Sequence, residues 1–207
     1  MKTNKPSYRG RCAIYGGSFD PVHTGHLRLA LAAVEEGVVD RTIFMPNAIS
    51  PFKRGQKIAP GEHRAAMLRT ASAPYPELAV SSYELDLGQS AYTIETLEVW
   101  EQRIDGELYF LLGMDSMLQI DTWYRGEEIL RRFPLITANR PGEDENERDR
   151  ILEQFRVKYD ARIHVLKLTP MDYSSSEIRA RITDGESVAG LVPPGVEEYI
   201  RDHGLYR

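Results

Sequence analysis

The chain is 207 residues long, 42% hydrophobic and 28% charged, with a formal net charge of −5; this is the make-up of a soluble chain able to bury one sizeable core. The acidic balance argues against a nucleic-acid binder held by phosphate contacts, although a local cluster can still take a small anion. No stretch approaches the ~20 apolar residues of a membrane span, and with Cys12 as the single cysteine no intrachain disulfide forms, which suits a reducing, cytoplasmic setting.

Met1 to Tyr8 reads as a polar leader without the apolar core of a signal peptide, and one domain is expected over residues 9–207. Cys12-Ala13-Ile14-Tyr15 predicts a buried strand. It runs into Gly16-Gly17-Ser18-Phe19-Asp20-Pro21-Val22-His23-Thr24-Gly25-His26, after which Leu27, Ala30, Leu31 and Val34 recur at helical spacing. Glycines and two histidines thus stand where a strand becomes a helix, at the dipole end that favours a phosphate. Arg41 to Met45 reads as a second strand closed by Pro46, followed by a polar, basic loop from Asn47 to Lys57.

A helix is expected over Pro60 to Ala73, a strand from Leu78 to Val80, and an exposed strand over Ser82 to Leu87, where apolar and polar residues alternate. Thr93 to Gln102 predicts a helix and Leu108 to Leu112 a buried strand, with Gly113-Met114-Asp115-Ser116 at its carboxyl end. Ile129-Leu130 belongs to a short helix, and Leu135 to Ala138 is a strand closed by Asn139-Arg140-Pro141-Gly142. The charged run from Glu143 opens a helix that Ile151, Leu152 and Phe155 continue. Ile163 to Leu168 is the last strand, with helices over Ser174 to Thr183 and Pro194 to His203. There is no internal repeat.

Strands alternating with helices predict an α/β fold: a Rossmann-like, doubly wound parallel sheet with helices on both faces. In such sheets ligands bind beyond the carboxyl ends of the strands. The loops after Tyr15, Met45, Leu112 and Ala138 should therefore converge on one crevice.

Gly16 and Gly17 let the backbone approach a ligand or take positive φ, which a plain tight turn would also use. His23 and His26, three apart at a helix start, can face one phosphate from the same side and donate hydrogen bonds to it. As metal ligands they lack companions, since His63, His164 and His203 show no ligand spacing. Ser174-Ser175-Ser176-Glu177-Ile178-Arg179 fits a capping box or a triphosphate clamp equally well. Lys53, Arg54 and Lys57 form a basic loop that is either solvated or faces a second anionic substrate. Trp123-Tyr124 is either core or a stacking platform for a flat ring. Asp115 either caps the next helix or binds a ribose hydroxyl.

Taken together, His23-Thr24-Gly25-His26 within its glycine-rich loop resembles the nucleotidylyltransferase superfamily, and within it the bacterial nicotinate-nucleotide adenylyltransferases. Ser174 to Arg179 is similar to that family's Ser-Ser-Thr-x-Ile-Arg, with Ser176 in place of threonine. Tyr92-Thr93-Ile94-Glu95-Thr96-Leu97 resembles its Tyr-Thr-x-x-Thr-Leu. Gly113-Met114-Asp115 with Trp123, and Tyr199 to Tyr206, are similar to further family segments. One departure stands out: Ser50-Pro51-Phe52-Lys53 keeps the lysine of the family's Pro-Pro-His-Lys but replaces its imidazole.

The resemblance implies adenylyl transfer from ATP to nicotinate mononucleotide in NAD biosynthesis, with nicotinamide mononucleotide or another small acceptor as the alternative. It implies that His23, His26 and the backbone of Gly16, Gly17, Ser18 and Phe19 hold ATP near its α-phosphate. Ser175, Ser176 and Arg179 would grip the β and γ phosphates, so that residues 174–207 complete the ATP site. Asp115 and Arg140 would contact adenosine. Lys53 would hold the mononucleotide phosphate, Trp123 its ring, and Tyr92 and Thr93 its carboxylate. Mg²⁺ would come bound mainly to the ATP phosphates, with no protein metal site, no nucleic acid and no membrane involved.

Overall fold

A computed structural model describes residues 8–48, 58–139, 144–168 and 173–207. Six strands form one sheet: β1 (Tyr8–Gly17), β2 (Arg41–Pro46), β3 (Leu78–Val80), β4 (Ile104–Leu111), β5 (Leu135–Ala138) and β6 (Ile163–Leu166). They lie in the order β3-β2-β1-β4-β5-β6, and every pairing is parallel. This is the doubly wound arrangement expected, with the order reversing between β1 and β4.

The alternation of side chains along β1 explains the two-faced burial. Ala13 and Tyr15 join one apolar cluster with Leu27, Ala30, Met67 and Val196, while Cys12 and Ile14 join the other with Leu97, Phe110, Leu130 and Phe155. On the first face lie α1 (Thr24–Glu35), α2 (Gly61–Ser72), α8 (Ser175–Thr183) and α9 (Pro194–Asp202). On the second lie α4 (Thr93–Glu101), α6 (Gly126–Arg132) and α7 (Glu145–Tyr159), together with the short α5 (Met114–Met117). A 3₁₀ turn over Ile120–Thr122 leads into α6. In α1, Leu27 and Ala30 are buried as the spacing predicts, whereas Leu31 and Val34 are only partly buried at the edge of the first cluster.

One predicted element is wrong. Ser82 to Leu87 is not an exposed strand but a helical turn, α3 (Tyr83–Asp86), that buries Glu84 and leaves Leu87 41% exposed. Tyr83, Leu85 and Leu87 alternate as strand residues do, but Asp86 accepts a bond from Ser82 Oγ at 2.8 Å, and the backbone closes a turn from Asp86 N to Ser82 O. Local bonding wins over alternation here. No helix among the described residues is long and apolar enough to cross a membrane.

Candidate active site

A cavity of about 750 Å³ opens beyond the carboxyl ends of the strands. It is lined by residues after β1 (Gly16 to Phe19), after β2 (Asn47, Ala48), after β4 (Gly113 to Ser116) and after β5 (Ala138, Asn139). The loops converge as the topology requires.

The first loop is held from several sides. Gly16 and Gly17 end β1 and do not take positive φ; Phe19 does, at +48°. A side chain on Gly17 would meet the Phe19 ring at 2.9 Å, so glycine makes room for that ring rather than for a turn. Phe19 is buried against Tyr15, Phe44 and His26 in edge-to-face contacts of 5.1–5.4 Å. Phe19 lines the cavity while its ring packs within the core.

His23 is the N-cap of α1. Its Nδ1 accepts from the backbone N–H of His26 at 3.3 Å, and the Nδ1 of His26 accepts from the backbone N–H of His23 at 3.2 Å. The two rings stack with centroids 3.6 Å apart. This reciprocal cap uses both Nδ1 atoms as acceptors, so each neutral imidazole carries its proton on Nε2. A proton on either Nδ1 would point at a backbone N–H. Each ring is thereby left with Nε2–H as its donor. The amides of Thr24 and His26 are engaged by Leu191 O and His23 Nδ1. Gly25, whose residue lines the cavity, is left as the first-turn amide for a phosphate.

Ser174, Ser175 and Ser176 line the facing wall at the start of α8. Ser174 Oγ caps the helix, accepting from Glu177 N at 3.2 Å. The box is half formed, because Glu177 turns forward to Arg181 at 2.9 Å. Ser175 Oγ donates to Pro21 O at 3.0 Å and so ties α8 to the first loop. Arg179 is not on the cavity wall: its Nη1 donates to Asp20 O at 2.7 Å and its Nη2 to Ser176 Oγ at 3.2 Å.

The opposite wall is aromatic. Thr93 opens α4 after the N-cap Tyr92, whose backbone N–H bonds Glu95 Oε2 at 3.3 Å. Tyr92 is 51% exposed and packs on Tyr124, 53% exposed, at 4.3 Å between ring centres. Trp123 is half-buried on the cavity wall, its edge toward Phe110. Asp115 is an exposed first-turn residue of α5 on the wall; Gly113, not Asp115, is that helix's N-cap. Lys53, Phe52 and Arg140 lie outside the described residues.

Residues that carry no motif also shape the site. Glu84 lines the cavity, buried, and accepts from Thr96 Oγ1 at 2.7 Å; burial pushes its carboxyl above the usual range. Arg28, exposed on α1, also lines it, two residues beyond His26. Most consequential is Arg64 of α2, 2% exposed and away from the cavity. Its guanidinium donates to Ala59 O, Ser18 O and Asn47 O at 2.8–2.9 Å and to Ala48 O at 3.3 Å. One side chain thereby pins the loops after β1 and β2 together. An arginine in a helix reads as solvated, and only the tertiary contacts show otherwise.

Among the described residues no group of three or more His, Cys, Asp or Glu could hold a metal ion. The donors on the walls are hydroxyls, imidazoles, amides and the guanidinium of Arg28, which suit phosphate oxygens and an ion carried in on them.

Comparison with known proteins agrees with this geometry. Residues 14–181 match the model of the cytidylyltransferase-like family. A probable nicotinate-nucleotide adenylyltransferase of Symbiobacterium thermophilum is 36% identical over 95% of both chains. Its counterpart in Moorella thermoacetica is 37% identical over 96% of this chain and 92% of its own. In fold, the chain is similar to Plasmodium falciparum nicotinic acid mononucleotide adenylyltransferase complexed with APC. The TM-score is 0.76 at 19% identity, over 95% of this chain and 97% of that one.

Proposed function

The chain belongs to the cytidylyltransferase-like family, among its nicotinate-nucleotide adenylyltransferases, and from that premise we propose that it transfers the adenylyl group of ATP to nicotinate mononucleotide. A phosphate oxygen of the mononucleotide forms a bond to the α-phosphorus of ATP, the bond from that phosphorus to the β-bridging oxygen breaks, and pyrophosphate leaves. The product is nicotinate adenine dinucleotide, for NAD biosynthesis. The observation that carries this reading is the stacked, reciprocally capped pair His23 and His26 at the point where the strand order reverses.

The acceptor is a phosphate monoester with a second pKa of about 6, so it is largely dianionic at neutral pH and needs no general base. The site's task is to align two phosphates and offset charge on the α-phosphate and the leaving group. Imidazoles capped through Nδ1 suit this, because each would offer its Nε2–H to the phosphate oxygens. Gly16, Gly17, Ser18 and Phe19 would offer backbone to the α-phosphate side. Ser174 to Ser176 would face the β and γ phosphates, with Arg179 behind them. Trp123 would stack on the pyridine ring, and the amide of Thr93, at the N-terminus of α4, would receive its carboxylate. Mg²⁺ would come held mainly by the ATP phosphates and would supply charge neutralisation there, while Asp115 would contact the adenosine. A cytoplasmic location fits such a reaction.

Pyrophosphate release with ATP and either pyridine mononucleotide tests the assignment. Release with the nicotinate form, and a drop of about 10³-fold or more in kcat for His26→Ala with the fold retained, is the expected result. No release with either acceptor rejects the enzyme; preference for the amide rejects the acceptor.

A further inference from the structure

Asp20, 1% exposed, is the most buried carboxylate among the described residues, and it follows directly on the loop that would hold ATP. Its Oδ1 accepts from Tyr206 Oη at 2.7 Å and from Ala59 N at 3.1 Å. Its Oδ2 is buried without a hydrogen bond, with Arg179 Nη1 3.7 Å away. The backbone oxygen of the same residue holds that Nη1 at 2.7 Å. Arg179 is therefore balanced between a carbonyl and a carboxylate that has acceptor capacity to spare.

What satisfies Asp20 instead is Tyr206. Burial beside Asp20 raises the Tyr206 hydroxyl well above the usual phenol range, so the proton stays on tyrosine and the bond runs from Oη to the carboxylate. Tyr206 is anchored for this. Thr183 Oγ1 donates to its carbonyl at 2.9 Å, and the same hydroxyl reaches the carbonyl of Arg179 at 3.0 Å, one helical turn back. Tyr206 also takes φ +66°, a left-handed conformation that a bulky residue holds only when its surroundings impose it.

We infer that Tyr206 is a positioning residue for ATP: by satisfying Asp20 it keeps the Arg179 guanidinium from collapsing onto that carboxylate, so that its remaining N–H groups stay available to the phosphates beside Ser176. The inference rests on the proposed placement of the ATP phosphates at the start of α8. Without the phenol, Asp20 Oδ1 keeps only Ala59 N, and the nearest cation able to compensate is Arg179. Arg64, the other guanidinium that Asp20 influences, is already spent on four carbonyls.

The test is a double-mutant cycle in the full chain, with steady-state kinetics for both substrates. Tyr206→Phe should raise KM for ATP about ten-fold, the value of one lost hydrogen bond to a charged group, and leave KM for the mononucleotide unchanged. Combined with Arg179→Lys, the two effects should be strongly non-additive, because they act on one guanidinium. A role in stability alone would lower the melting temperature and move both KM values or neither, and would add to Arg179→Lys. Either result overturns the inference. If Tyr206→Phe does not fold, Asp20→Asn, which keeps the shape and removes the charge, enters the same cycle and must again couple to Arg179→Lys. Arg179→Ala separates the two levels of reading. Normal ATP kinetics in Arg179→Ala would reject the phosphate placement. Impaired ATP use there, with additive behaviour in the cycle, rejects Tyr206 alone.

Discussion

From Ser18 to His26 the cavity wall is held by bonds that arrive from distant segments. Arg64 fixes Ser18 O, Arg179 fixes Asp20 O, Ser175 fixes Pro21 O, and Leu191 takes the Thr24 amide. On the aromatic wall, Tyr92 and Tyr124 are half exposed and pack on one another, and Trp123 meets Phe110 in an edge contact. Groups that must meet developing charge have to be in place before the reaction, since any reorganisation would add to the barrier. Groups that receive a flat ring from solvent gain from adjustable contacts, and stacking tolerates small shifts. The same cavity thus joins a rigid polar wall to a compliant aromatic one.

The largest effect should come from attacking the rigid wall where it is not visible from the cavity. Arg64→Met removes the donors to four carbonyls in one step. Leaving several buried acceptors unpaired at ~1–3 kcal/mol each predicts a loss of about 4 kcal/mol in urea unfolding, beyond the usual range for one substitution. Activity should fall with it even under conditions where the variant is folded. A variant of near-native stability would mean that the first two loops hold themselves, and the contrast between the walls would fail.

Trp123→Ala probes the other side. Losing one stacked aromatic is worth ~1–3 kcal/mol, so KM for the mononucleotide should rise about 10-fold or more while KM for ATP stays constant. Because Trp123 is half-buried on the rim, the melting temperature should fall only slightly. Equal changes in both KM values would show that the aromatic wall is coupled to the phosphate wall after all.

How much of this could be read from the chain follows from the range of the interactions. β1, β2, β4 and β5 are compact apolar runs, and their alternation with helices dictates the parallel sheet and hence the crevice at the strand ends. The three-residue spacing of His23 and His26 at a helix start points to a phosphate, but it does not show the reciprocal cap, which decides the tautomer. Arg64 spans 46 residues to Ser18, and Tyr206 spans 186 to Asp20; no periodicity carries such bonds. At Ser82 to Leu87 a period of two fits both a strand and a short turn, and the bond of Glu84 to Thr96 of α4 decides for the turn.

Glu84 gives the smallest and most specific test of the compliant wall. It is a buried carboxyl whose hydrogen-bond partner among the described residues is Thr96, and burial outweighs that bond in raising its pKa above the ordinary 4.5. Raised in the folded state, it favours folding fully below pH 4.5, and that contribution is lost as pH rises through the folded value. Glutamine keeps the acceptor for Thr96 and has no proton to lose. Glu84→Gln should therefore match the wild type in melting temperature near pH 4 and exceed it increasingly as pH rises above 4.5, levelling off past the folded value. On the rigid wall Asp20 is met by Tyr206, Ala59 N and Arg179, so Asp20→Asn should lose stability by weakening those contacts. The opposite signs distinguish a buried carboxylate with a cation beside it from one held by a single hydroxyl. A Glu84→Gln difference that stays flat with pH would place a cation beside Glu84 and make the two walls alike.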